Sequence, residues 1–355
     1  MNKHMNKDQS MNKKQSEIVF LYDVELANPN GDPRNDNKPR YDLEDGTLYV
    51  TDVRLKRIIR DFIALLKDTN QINGDKYDIF IRNDLIDAQN VTEVSNHAKK
   101  TKSDRFNKDF GRDFGAVIRK CVDLRLFGIT LAIGNKDENK NKKKSNTESK
   151  ESNSVEANVS IIGPVQFSIG SSMHAVKVDD FKITSVMPNQ KNKSGGEFGE
   201  KHLVYYALIM HNGAVNRNLA YVQNIPLEEE DLNLMYKAMW RGVNSLMTTS
   251  KHSHSRLLLV VDYKDGYYYG DLKQYLKLIP LNGIEGRAIK GPEDYVIELK
   301  DFIAQIGRIS KLIDVVRIQE DPYINFVIDG KKTRLSDEIK KIGIPLEDLA
   351  LDEQI

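Results

Sequence analysis

Cysteine is almost missing: Cys121 stands alone among 355 residues, so no intrachain disulfide can form. Its neighbours Val122 and Leu124 suggest a buried thiol on an apolar segment. That scarcity favours a reducing compartment, and the expected location is cytoplasmic. Long hydrophobic runs are missing too. No stretch reaches the roughly 18 apolar residues that span a bilayer, and Met1 to Ser16 lacks the apolar core of a secretory signal. Charge of one sign is lacking, since 53 Lys and Arg against 52 Asp and Glu leave a formal net charge of +1. So balanced a surface does not coat nucleic acid indiscriminately, and any RNA site must be a local basic track.

Catalytic signatures are equally thin. There is no Walker A motif, and Gly195-Gly196-x-x-Gly199 lacks the strand-to-helix setting of a dinucleotide fingerprint. His252 and His254 form a His-x-His spacing without an evident third ligand. Asp23, Asp32 and Asp36 suggest a metal nuclease cluster, but turns routinely contain Asp and nothing supplies a general base. The expectation is a binding protein without metal or cofactor.

What is present is 39% hydrophobic and 30% charged, which fits a folded core carrying long solvated loops. Residues 1–16 repeat Met-Asn-Lys three times and read as a disordered leader. Residues 135–158, almost wholly Asn, Lys, Ser, Glu and Asp, read as a disordered insertion. Ile18 to Leu26 is a strand that starts apolar and becomes alternating, ended by the polar turn Asn28-Pro29-Asn30-Gly31-Asp32. Thr51 caps a helix with Leu55, Ile58, Ile59, Phe62, Leu65 and Leu66 at three-and-four spacing. That stripe leaves Lys56, Arg57, Arg60 and Lys67 on the far side and Arg54 at its edge. Phe106 to Leu124 reads as helical, and Leu126 to Ile133, Val159 to Ile169 and Phe181 to Met187 read as strands.

A Lys-, Asn- and Gly-rich excursion from Met187 to His202 separates that last strand from another at Leu203 to Met210, which predicts an extended hairpin. Leu232 to Leu246 is an amphipathic helix and Arg256 to Tyr263 a strand. Strand, helix, strand, strand hairpin, helix, strand approximates a ferredoxin-like α+β fold with insertions, an antiparallel sheet with helices on one face. Residues 266–355 suggest a Tyr-rich strand, a helix near Pro292 to Gly307 and a final strand at Tyr323 to Ile328.

Several segments share the order of one family. Tyr22-Asp23-Val24-Glu25-x-x-Asn28-Pro29-Asn30-Gly31-Asp32-Pro33-Arg34, Thr51-Asp52-Val53-Arg54-Leu55-Lys56-Arg57, Gly163-Pro164-Val165-Gln166-Phe167-Ser168, Gly199-Glu200-Lys201-His202 and Trp240-x-x-x-Asn244 resemble the backbone subunit of type I CRISPR surveillance complexes (Cascade), the Cas-seven family, most closely its type I-B branch. The resemblance implies an RRM-type ferredoxin-like palm over residues 17–355, with a finger region at 77–123, a projecting thumb hairpin with its tip at 187–202, and a C-terminal elaboration at 266–355. It also implies helical oligomers along a crRNA guide that presents its bases to target DNA. The implied partners are other copies of the chain, the large subunit, the guide-end-capping subunit, the crRNA-processing endonuclease and a recruited nuclease-helicase. The residues it places against RNA are Asn28, Asn30, Arg54, Lys56, Arg57, Gln166, Ser168, Ser171, Met187, Lys191, Lys201 and His202. Related type III subunits cut RNA with an Asp after the first strand, where Asp32 stands here. A metal-dependent RNase is the alternative, and Asp32 is expected instead to hold the loop's shape.

Overall fold

The computed structural model describes residues 14–82, 102–133, 157–184, 198–245, 247, 248 and 250–352. The expected thumb residues Met187 and Lys191, and most of the 135–158 insertion, lie outside them. The first strand, β1 (Gln15–Ala27), includes the last two residues of the expected leader. Its continuous apolar run has a simple cause, because both of its faces are buried. Ile18, Phe20, Tyr22 and Val24 enter one core, while Val19 and Leu21 enter another.

A miniature hairpin, β2 (Gly31–Asp32) with β3 (Lys38–Pro39), follows, and then β4 (Thr47–Val50) leads into α1 (Asp52–Asp68). Thr51 is the N-cap as expected, its Oγ1 accepting from the Arg54 N–H at 3.3 Å. The Phe106 to Leu124 region folds as α2 (Lys102–Lys108), α3 (Phe114–Lys120) and α4 (Val122–Phe127). Leu126 and Phe127 thus end a helix, and the expected strand opens only at β5 (Gly128–Ile133).

Val159 to Ile169 is not one strand. β6 (Ala157–Ile162) pairs with β5, the chain breaks at Gly163-Pro164, and β7 (Val165–Phe167) and β8 (Gly170–Ala175) join the main sheet. Pro164 has no N–H to give a ladder, and a Cβ on Gly163 would stand 2.1 Å from the Phe127 carbonyl carbon. The expected hairpin is present as β9 (Val178–Thr184) against β10 (Phe198–Asn216). After α5 (Arg217–Val222), α6 (Glu229–Ser245) packs on α1, and β11 (Ser253–Tyr263) returns beside β1.

The main sheet runs from the C-terminal strands β17 (Leu346–Asp348) and β14 (Ile313–Glu320) through β11-β1-β10-β8-β4, with β7 and β9 also paired to β10. Helices α1 and α6 cover one face. The other face was expected to be free of helices. Instead the C-terminal region buries it: β12 (Lys277–Pro280), β13 (Tyr295–Glu298), α7 (Lys300–Arg308), β14 (Ile313–Glu320), β15 (Phe326–Ile328), β16 (Lys331–Thr333), α8 (Leu335–Lys341) and β17 (Leu346–Asp348). Phe302, Ile306, Leu335 and Ile339 close over Val19, Leu21 and Leu259. The sheet is mixed, not purely antiparallel, because β17 joins β14 in parallel. The helix expected near Pro292 to Gly307 is divided, since Tyr295, Ile297 and Leu299 alternate inward as a strand before α7 begins.

Candidate nucleic-acid interface

The turn after β1 is built by its own polar side chains. Asn28 Nδ2 donates to the Asn37 carbonyl at 2.6 Å, closing the loop across the β2–β3 hairpin. Asn30 Oδ1 accepts from both the N–H and the hydroxyl of Thr51, at 2.8 and 2.9 Å. One Asn thereby ties the loop to the start of α1. Asp32 Oδ1 accepts from the Arg34 N–H at 3.1 Å and faces the Arg40 guanidinium at 3.4 Å. Its carboxylate is engaged in the shape of the turn.

Along α1 the cations separate into two groups. Lys56 Nζ lies 3.0 Å from Asp52 and 3.4 Å from Gln166 Oε1, which brings the basic helix against β7. Arg57 pairs with Asp61 at 2.6 Å, its side chain 39% exposed against 12% for that of Lys56. Arg60 and Lys67, read from sequence as members of one solvated face, are held by acids, and Arg60 shares the Phe127 ring with Lys56 at 5.1 and 5.6 Å. Arg60 is buried against Asp123 at 3.0 Å, and Lys67 meets Asp78 at 2.6 Å. Arg54 is half-buried, its Nε has no hydrogen-bond partner, and burial lowers the pKa of its guanidinium.

Asn28, Asn30, Arg54, Lys56, Arg57 and Gln166 are thus strung along the first turns of α1 as a strip, with Asn30 tied to Thr51 and Gln166 to Lys56. Ser168 lies at its base, exchanging hydrogen bonds with Asn212 and offering its carbonyl to His211 Nδ1 at 3.3 Å. Ser171 does not join the strip. It pairs with Tyr49 and Met210 and shares its face with Met173, which packs on the second core.

Lys201 and His202 lie in the stem of the long hairpin. His202 is buried and hydrogen-bonded to Asp180, its cross-strand partner, while Lys201 is half-buried opposite Phe181. The hairpin's direction is set by register. Ala27, the last residue of β1, pairs with Val204, so Phe198 to Leu203 runs on past the end of β1. The hairpin and the Asn28 turn leave the sheet at the same end.

Two groups were missed by sequence reasoning. Asp23 joins no acidic cluster; it accepts from Tyr206 at 2.8 Å and Arg256 at 2.7 Å in a buried network. The segment before β11 borders the turn, with the Ser250 carbonyl accepting from the Asn28 N–H at 2.8 Å. This places Lys251 beside the strip. Next to it, His252 and His254 face each other with Nε2 atoms 3.1 Å apart. The His-x-His spacing was visible in sequence, but its neighbourhood with Asn28 rests on contacts more than 200 residues apart.

Fold and site together define a mixed α/β protein with polar and basic side chains gathered along the start of α1, and with the Asn28 turn and a long hairpin leaving one end of its main sheet. The sequence model of the CRISPR-associated Cas7 family matches residues 14–300, and the chain belongs to that family. A CRISPR-associated protein Cas7 of Haloferax volcanii is 27% identical over 339 residues, covering 91% of each chain. A chain from a solved "CRISPR RNA-guided surveillance complex, pre-nicking" aligns with a TM-score of 0.42 at 13% identity, covering 95% of this chain and 98% of that one. A second, from a "CRISPR RNA-guided surveillance complex", aligns at 0.42 and 12% identity over 89% and 95%.

Proposed function

We propose that this chain is a non-catalytic crRNA-binding backbone subunit of a type I CRISPR surveillance complex, assembling side by side with its own copies along the guide. The observation that carries this reading is the convergence of Asn28, Asn30, Lys56 and Gln166 on one strip, in a chain of the Cas7 family. Asn side chains and ammonium groups suit phosphate and ribose, which carry no sequence information. A guide held by its backbone keeps its bases free for target DNA.

The strand order β11-β1-β10-β8, antiparallel throughout, with α1 and α6 on one face, supports an RRM-type ferredoxin-like palm. The overhanging β9–β10 hairpin suits the thumb, and the sequence motifs favour the type I-B branch. Engagement of Asp32 by Arg34 and Arg40 supports a shaping role over a nucleolytic one.

The purified protein should carry RNA, seen as a raised ratio of absorbance at nucleic-acid and protein wavelengths, and should form helical oligomers by electron microscopy. RNA-free monomers that bind no single-stranded RNA would refute this reading. Metal-dependent RNA cleavage that disappears in Asp32→Ala would favour the nuclease alternative.

A further inference from the structure

The strip on α1 has an opposite wall that no sequence motif marks. The Ser250 carbonyl accepts the Asn28 N–H at 2.8 Å, while Asn30 Oδ1 holds the Thr51 N–H at 2.8 Å. The turn after β1 is thus clamped between the segment preceding β11 and the first residues of α1. Thr248 and Lys251 exchange backbone hydrogen bonds of 2.9 and 3.0 Å, which fixes the Lys251 backbone in place.

Charge is unbalanced at this point. Arg54, Arg57 and Lys251 act on one another electrostatically, with Asp61 as the nearby anion. Arg57 occupies Asp61 at 2.6 Å. Arg54 Nε is buried without a hydrogen-bond acceptor, and so is Asn28 Oδ1 without a donor. A buried guanidinium N–H left without an acceptor costs about 1–3 kcal/mol, more where the group is charged. A bound oxyanion would supply the acceptor that Arg54 lacks, whereas Asn28 Oδ1, itself an acceptor, is not served by it. The crowding is also visible in Lys251, whose pKa is lowered by burial first and by Arg54 and Arg57 next.

We propose that Lys251 and Arg54 form a phosphate-holding pair, gripping one backbone phosphate of single-stranded RNA between α1 and the Ser250 turn. The pair rests on the reading of the strip as an RNA site and adds a second wall to it. Lys251 contributes a point charge, and Arg54 a directed N–H. Neither reads a base, so the grip is independent of guide sequence.

The test uses the full-length protein and a fluorescent, unstructured single-stranded RNA, with affinity measured across a salt titration. Removing one phosphate contact lowers the slope of log K against log salt by about 0.7 for a single strand. Lys251→Gln should lower the slope by about that amount and weaken binding several-fold at low salt. Lys251→Arg should restore both, and Lys340→Gln, on exposed α8, should change neither. Unaltered thermal unfolding of Lys251→Gln guards against a folding defect. If wild type binds RNA but Lys251→Gln keeps its slope and affinity, or if Lys251→Arg fails as Lys251→Gln does, the phosphate pair is wrong. If wild type binds no RNA, the reading of the whole strip falls with it.

Discussion

His211 shows how much a single residue behind the strip is constrained. It is fully buried, its ring stacks on Tyr22 at 5.9 Å between centroids and 12° between planes, and its Nε2 has no partner. A Cβ on Gly170 would stand 2.4 Å from that nitrogen, so only glycine admits the ring there. Burial pushes the His211 pKa down from 6.5 to about 4, with a hydrogen bond to the Ser168 carbonyl and the charge of Asp52 opposing it. A folded-state pKa below the unfolded value means the unfolded chain takes up the proton first as pH falls. The stability from a neutral His211 is therefore complete above about pH 6.5 and lost progressively toward pH 4, on the order of 3 kcal/mol in all. His174, whose pKa is also lowered by burial, acts in the same direction. Denaturant unfolding at pH 5 and pH 7.5 should show wild type losing stability on acidification and His211→Gln losing visibly less. An equal loss in both proteins would mean that His211 is not the titrating group.

Among elements, α4 is pinned to the two helices that cover the main sheet, α1 and α6, by two buried ion pairs. Arg60 of α1 meets Asp123 of α4, whose carboxylate also accepts the Phe80 and Ile81 N–H groups at 2.7 and 3.0 Å. Arg125 of α4 grips Asp231 of α6 through two nitrogens at 2.9 and 2.8 Å, with side-chain exposures of 2% and 0%. Removing one partner of such a pair leaves a buried charge uncompensated, a cost of about 3–5 kcal/mol. Asp231→Asn should lower unfolding stability by roughly that amount in a urea titration; a loss under about 1 kcal/mol would show that the pair is replaceable. Local pattern made α1 legible in sequence, since Thr51 and the stripe from Leu55 to Leu66 need only neighbouring residues. Arg60 was illegible because its partner, Asp123, is 63 residues away, and period alone cannot tell a buried cation from a solvated one. The break at Gly163-Pro164 was legible in composition, but the apolar residues on both sides hid it.

On the scale of the whole molecule, two cores lie on opposite faces of one sheet, and the second is supplied by the C-terminal region. The continuous apolar run of β1 hinted at burial on both sides. What would cover the second face was not visible, because Phe302, Leu335 and Ile339 meet β1 only through tertiary packing. The consequence for function is topological. With both faces covered, the Asn28 turn and the overhanging hairpin emerge at one end of the sheet, α1 starts beside that turn, and β7 lies toward the other end, where it pairs with Gly213, Ala214 and Val215. The order of the family motifs along the chain was readable in sequence, whereas Lys251 entered the site only through folding. The double variant Lys56→Glu/Arg57→Glu tests the site most directly, by titrating binding to an unstructured single-stranded RNA against salt. Loss of two phosphate contacts should lower the salt slope by about 1.4, with markedly weaker binding at every salt concentration and the fold intact. Wild-type affinity and slope in a folded double variant would contradict an RNA site on this strip.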